Sequence, residues 1–184
     1  MKEISLHILD VAENGITAGA DHIRIEIVEK PSENRFCLTV ADNGEGIARE
    51  QIDRAVDPFY TSRTTRRVGL GLSLLDAAAR QCSGSMQIHS DRGEGTEVVA
   101  EFLYDHIDRA PLGDMASTMT TLIMGNSEVD FYYRHQVEDA EFIMGTRQIR
   151  ESFGGAEISD FRVLRYVMAA LKDGEKRLQT GRKE

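Results

Sequence analysis

Apolar residues recur along this chain with two different periods, and each change of period marks an element. From Glu3 to Ala18 they return every three or four positions, so that Ile4, Ile8, Val11 and Ala12 make one face and Glu3, His7, Asp10, Asn14 and Thr17 a separate polar stripe. That is the pattern of an amphipathic helix. Gly19 supplies a stop. Ile23, Ile25 and Ile27 then alternate with polar residues, and beyond the turn-rich KPSENR so do Phe36, Leu38 and Val40. The alternation predicts a hairpin-like pair of half-buried strands running straight into Asp42.

A short helix is expected from Ala48 to Ala55, and a mobile loop between Pro58 and Val68, where hydroxyls and arginines show little periodicity. Leu70 to Cys82 reads as helix with Gly84 as its stop, followed by strands around Met86 to His89 and Glu97 to Phe102. Pro111 and Gly113 interrupt the pattern within DHIDRAPLGD, which suggests a boundary between residues 1–104 and an extension over 105–184. The extension reads as a helix near Met115 to Met124, strands near Val129 to Val137 and Glu141 to Met144, and two helices, the last capped by Ser159.

With 184 residues, 41% hydrophobic and 29% charged, the chain has room for one well-buried domain and an appendage. A net charge of −9 speaks against nucleic acid as a partner, because phosphate backbones are held by clustered Lys and Arg. Cys37 and Cys82 lack the spacing of zinc ligands or a redox dithiol. No apolar run approaches membrane-spanning length, so neither a membrane nor an export route is expected, and the cytoplasm is the expected compartment.

The candidate chemistry lies in four places. DNGEGI at Asp42 to Ile47 puts two glycines around Glu45 directly after a strand, which suits close approach to a ligand and equally suits a plain turn. On the first helix Asp10 and Asn14 stand one turn apart, so both side chains can address one ligand, although such stripes more commonly meet solvent. Asn offers a carbonyl oxygen of the kind Mg²⁺ accepts. Gly69 and Gly71 open the helix of VGLGLSLL, where unpaired amides suit a phosphate. GEGT at Gly93 to Thr96 lies between two strands, as a tight turn would.

Taken in order, AENGITAGA, DNGEG, PFYTSR with GLGL, and GEGT resemble the conserved boxes of the superfamily of gyrase, heat-shock chaperone, histidine kinase and mismatch-repair ATPases. The resemblance spans about Met1 to Phe102. It implies the Bergerat fold, a two-layer α/β sandwich with a mixed sheet covered by helices on one face, here with a small C-terminal α/β extension. It also implies ATP and Mg²⁺ as cofactors. Asp42 would receive the adenine amino group with help from Thr96, and Gly44 and Gly46 would let the chain pass the base. Asn14 would bind the metal, while Thr61, Ser62, Arg63, Gly69 and Gly71 would approach the phosphates.

Asp10 stands where ATPase and serine-kinase relatives carry Glu as general base, and from its shorter reach hydrolysis by water is expected to be slow. Only a few residues precede the first box, so His7 is not expected to be a phosphoacceptor and is expected to touch solvent, a neighbouring acid or the nucleotide. The resemblance implies a small stand-alone protein kinase acting in trans on a regulatory protein partner. The alternatives are an ATP-switched binding module and a weak ATPase. The extension then serves a partner or self-association, including a homodimer, and a fragment ending near Asp105 is expected to retain ATP binding.

Overall fold

The computed structural model describes residues 2–55 and 70–180. Its elements are α1 (Ile4–Thr17), β1 (His22–Lys30), a 3₁₀ turn (Pro31–Glu33), β2 (Arg35–Asp42), α2 (Arg49–Ala55), α3 (Leu70–Gln81), β3 (Ser85–Asp91) and β4 (Gly95–Leu103). The chain continues through α4 (Met115–Gly125), β5 (Asp130–Val137), β6 (Ala140–Gly145), α5 (Thr146–Ser152) and α6 (Phe161–Thr180). Helices and strands fall where the two periods put them, within a residue or two at their ends. The expected loop over Pro58 to Val68 lies outside the described residues.

All six strands form one mixed sheet in the order β3-β4-β2-β1-β5-β6. Neighbours are antiparallel except β1 and β5, which run parallel with His22 opposite Asp130 and Glu29 opposite Val137. The long connection that a parallel pair requires is supplied here by everything from β2 to α4. Residues on either side of 104 therefore share one sheet.

One face of the sheet is apolar and carries the helices. Ile23, Ile25 and Ile27 of β1, Phe36, Leu38 and Val40 of β2, and Phe131 and Tyr133 of β5 are buried there with Ile4 and Ile8 of α1, Met119 and Ile123 of α4, and Val167 and Leu171 of α6. Removing such side chains from water at about 25 cal/mol per Å² is the main force holding the layers together. The opposite face is polar and laced by ion pairs, Arg24 with Glu26 and Glu97, Arg35 with Glu101, and Arg134 with Glu141. This gives the two-layer architecture with helices on one side.

Local caps explain where helices start. The first-turn amides of α1, Ile4 N and Ser5 N, donate to Pro111 O and Leu112 O at 3.0 and 2.8 Å, so the stretch after β4 caps the first helix. Asp114 caps α4 by accepting from Ser117 N and Ser117 Oγ at 2.9 and 2.6 Å. At α6 the cap is Asp160 rather than the expected Ser159. Asp160 Oδ1 accepts from Arg162 N at 2.8 Å, whereas Ser159 Oγ lies 3.4 Å from Glu157 Oε2. The carboxylate, one residue nearer the first turn, reaches the amide that Ser159 does not.

Candidate functional site

Period-two alternation along β2 decides which way Asp42 points. Phe36, Leu38 and Val40 face the helices, so Asp42, two residues on, faces them too. It meets α1 at Gly15, where a Cβ would stand 2.7 Å from Asp42 Cβ and 2.9 Å from Oδ2. No other residue fits between them without displacing the carboxylate. Gly15 was not among the expected site residues; its signal was the Asn-Gly pair inside an otherwise regular helical pattern.

The Asp42 carboxyl is half-buried, and burial pushes it above the usual carboxylate range, while backbone amides of Gly44 and Thr96 pull the other way. Gly44 N donates to Asp42 Oδ1 at 2.8 Å. Thr96 is the direct cross-strand partner of Asp42, and Ser90 is the partner of Thr96 one strand further. Asp42, Thr96 and Ser90 thus form a row across β2, β4 and β3 on the helix side of the sheet. Cross-strand partners share a face.

The loop that leaves β2 is fastened on both sides. Glu45 N donates to Ala18 O at 2.9 Å, Gly93 N donates to Glu45 O at 2.7 Å, and Ile47 N donates to Ser90 Oγ at 2.7 Å. Gly46 takes φ +69°, and a Cβ there would collide with Asp91 O, so only glycine suits the position. Asn43 turns away from this space, accepting from Asp21 N and His22 N at 3.1 and 3.0 Å and so stapling the turn after α1 to the sheet. Its role is structural, and an Asx-type turn is all of it that is legible in the sequence.

On α1, Asp10 and Asn14 are both half-buried one turn apart. The first turn of α3 comes to Asp10 at Gly71, where a Cβ would lie 2.9 Å from Asp10 Cβ and 3.1 Å from Oδ2. The structure therefore brings together Asp10, Asn14, Asp42, Gly44, Gly46, Gly71 and Thr96 around the C-terminal half of α1. Thr61, Ser62, Arg63 and Gly69 lie outside the described residues. Among the described residues no group of three or more His, Cys, Asp or Glu is arranged to hold a metal ion, and none of their helices is long and apolar enough to cross a membrane.

His7, expected to touch solvent, a neighbouring acid or the nucleotide, is 2% exposed and so does not meet solvent. Burial and the N-terminal charge lower its pKa against the opposing pull of Asp10, and Nδ1 has no hydrogen-bond partner. The ring lines a cavity of about 210 Å³ at the other end of the helix pair, with Ile4, Leu74, Gln81, Phe102 and Asp108. Neutral and walled in by α3, it stands apart from the Asp42 row.

Three comparisons bear on this arrangement. The family described as histidine kinase-, DNA gyrase B-, and HSP90-like ATPase matches residues 2–106. Among curated proteins, the Non-motile and phage-resistance protein of Caulobacter vibrioides is 34% identical over 97 residues, and Sporulation kinase D of Bacillus subtilis is 35% identical over 91 residues. Each match takes in 50% of this chain but only 12% and 18% of those proteins, so the chain spans less than a fifth of either relative. Among solved structures, the Aquifex aeolicus MutL ATPase domain complexed with ADP superposes with a TM-score of 0.51 at 18% identity, covering 84% of this chain and 70% of that one. The likeness in fold thus takes in more of the chain than residues 2–106.

Proposed function

Because the chain belongs to the histidine kinase-, DNA gyrase B-, and HSP90-like ATPase family and carries that family's ATP-binding domain, we propose that it binds Mg-ATP between α1, the 42–47 loop and α3, and transfers phosphate in trans to a regulatory protein partner. The observation that carries the nucleotide part is the half-buried Asp42 carboxyl held by Gly44 and Thr96 over the bare backbone of Gly15. A carboxylate so placed accepts from an exocyclic amine, and the missing side chain at Gly15 leaves the carboxyl its place against α1. Asn14 would offer its side-chain oxygen to Mg²⁺, which retains waters and would neutralise phosphate charge. Gly71, with Gly69, Thr61, Ser62 and Arg63, would address the phosphates.

Two consequences are measurable by calorimetric titration with Mg-ATP. Asp42→Asn should lose about 1.5 to 3 kcal/mol of binding, the worth of a hydrogen bond to a charged group, with little change in thermal stability. Unchanged affinity would overturn the adenine assignment. The pH dependence has a definite sign: accepting from the amine requires the ionised carboxylate, and the Asp42 pKa lies above 3.8. ATP affinity should therefore fall with acidification earlier than an ordinary aspartate would dictate, and Asp42→Asn should remove that dependence.

Asp10 is proposed as the base that takes the proton of the acceptor. Its carboxylate lies beside the first turn of α3, against Gly71, where the terminal phosphate would be received. Asp10→Asn should keep ATP affinity yet slow phosphate transfer by about 10²- to 10⁴-fold, read with labelled ATP and a partner co-purified in Mg-ATP. Transfer at the wild-type rate would remove Asp10 from the chemistry. If the wild type transfers phosphate to no bound partner, the ATP-switched binding module is the better reading. The shared sheet favours that alternative as a route by which ATP binding reaches the C-terminal helices.

A further inference from the structure

Ser90 lies within hydrogen-bond distance of three groups, and their chemistry fixes where every proton goes. Its Oγ is 2.7 Å from Ile47 N, 2.7 Å from Gly95 O and 3.0 Å from Thr96 Oγ1. Ile47 N can only donate and Gly95 O can only accept, so the single hydroxyl proton of Ser90 is committed to Gly95 O. Contact with Thr96 is then satisfied in one direction alone, with the Thr96 hydroxyl donating to Ser90. The one proton of Thr96 is spent, and toward the neighbouring Asp42 this hydroxyl presents lone pairs only.

We infer that Ser90 is a specificity-positioning residue: by fixing the polarity of the Thr96 hydroxyl it makes Asp42 and Thr96 an acceptor-only pair, selecting a nucleotide base that presents an exocyclic amine. This rests on the reading that Asp42 and Thr96 hold the base. Adenine presents its 6-amino group as donor, and a water donating to both sides can join its ring nitrogen to Thr96. Hypoxanthine presents a carbonyl oxygen at the same place, facing a carboxylate and a hydroxyl with no proton to give. A site whose buried groups are left unmatched rejects such an analogue more strongly than lost contact area would. Without Ser90 the Thr96 hydroxyl is free to turn and donate.

The experiment compares ATP with ITP, both as Mg complexes, by titration calorimetry on the full chain. Wild type should favour ATP, and Ser90→Ala should lower the ATP-to-ITP affinity ratio at least about tenfold, with Ser90→Thr, which retains a hydroxyl, holding the ratio near that of wild type. A Ser90 that merely steadies the loop would weaken both nucleotides together and leave the ratio unmoved, which would overturn the inference while leaving the base site standing. Should Ser90→Ala fail to fold, Ser90→Cys keeps the volume but little hydrogen-bonding strength, and its ratio decides in the same way. A wild type that binds neither nucleotide overturns the site reading and this inference together.

Discussion

Glu175→Ala is expected to lower the stability of the protein by about 3 to 5 kcal/mol, the usual cost of removing one partner from a buried charged network. Glu175 sits on α6 and receives three contacts: Tyr133 Oη donates to Oε1 at 2.6 Å, and His135 Nδ1 lies 3.0 and 2.9 Å from Oε1 and Oε2. The other ring nitrogen of His135 is 2.9 Å from Glu29 Oε1 of β1. Both His135 and Glu29 are almost wholly buried, at 2% and 3% exposure. A protonated imidazole between two carboxylates thus ties β1, β5 and α6 together, and Ala at 175 leaves it with one.

The pH dependence of this network follows from its pKa shifts. Burial lowers the His135 pKa, but the hydrogen bonds and charges of Glu175 and Glu29 outweigh it and hold the value above 6.5. Burial and Glu175 keep the Tyr133 phenol protonated well above its ordinary range, so it remains a donor throughout. The His135 contribution is therefore fully present below pH 6.5 and is lost as pH rises through the elevated folded value. Urea unfolding of wild type and Glu175→Ala from pH 6 to pH 9 checks both parts. The variant should show a shallower downward slope, because only Glu29 remains to raise the His135 pKa, and at low pH its melting temperature should fall by roughly 6 to 20 °C for a chain of this size. Equal stability at pH 6 would show that the network contributes nothing.

How far the sequence foretold these features depended on whether their cause was local. The parity of Phe36, Leu38, Val40 and Asp42 is written along one strand, so both the core face and the direction of the key carboxylate were legible. So was the helical register that sets Asp10 and Asn14 together. Glu29 was not: it continues the inward series of Ile23, Ile25 and Ile27 and looks like the point where burial stops, yet it is buried because His135, 106 positions later, meets it. His7 failed for the same reason, since the cover over it comes from α3 and from residues near 108. The contacts of Ser90 with Ile47, Gly95 and Thr96 are not legible in the sequence, because they arise from a register across strands that no period within β3 reveals.

The parallel pairing of β1 with β5 leads to the expectation with the widest reach, that a fragment of residues 1–104 does not hold the native fold. A division drawn from the fall in apolar density near Pro111 suggests that such a fragment keeps its ATP site, since every site residue precedes 105. The structure sets costs against that. Cutting at 104 strips β1 of its eight-residue ladder with β5 and turns this interior strand into an unpaired edge. It removes Pro111 O and Leu112 O, the acceptors for the first amides of α1, and removes α4, which packs on α1. Because α1 carries Asp10, Asn14 and Gly15, loosening it should disperse the site along with the fold. The fragment is thus expected to lose near-ultraviolet dichroism, to exchange the amides of β1 rapidly, and to bind Mg-ATP at least 10-fold more weakly than the full chain, a difference of about 1.4 kcal/mol. A fragment with native dichroism and full-chain affinity would show instead that residues 105–184 are dispensable to the nucleotide site and are kept for a partner alone.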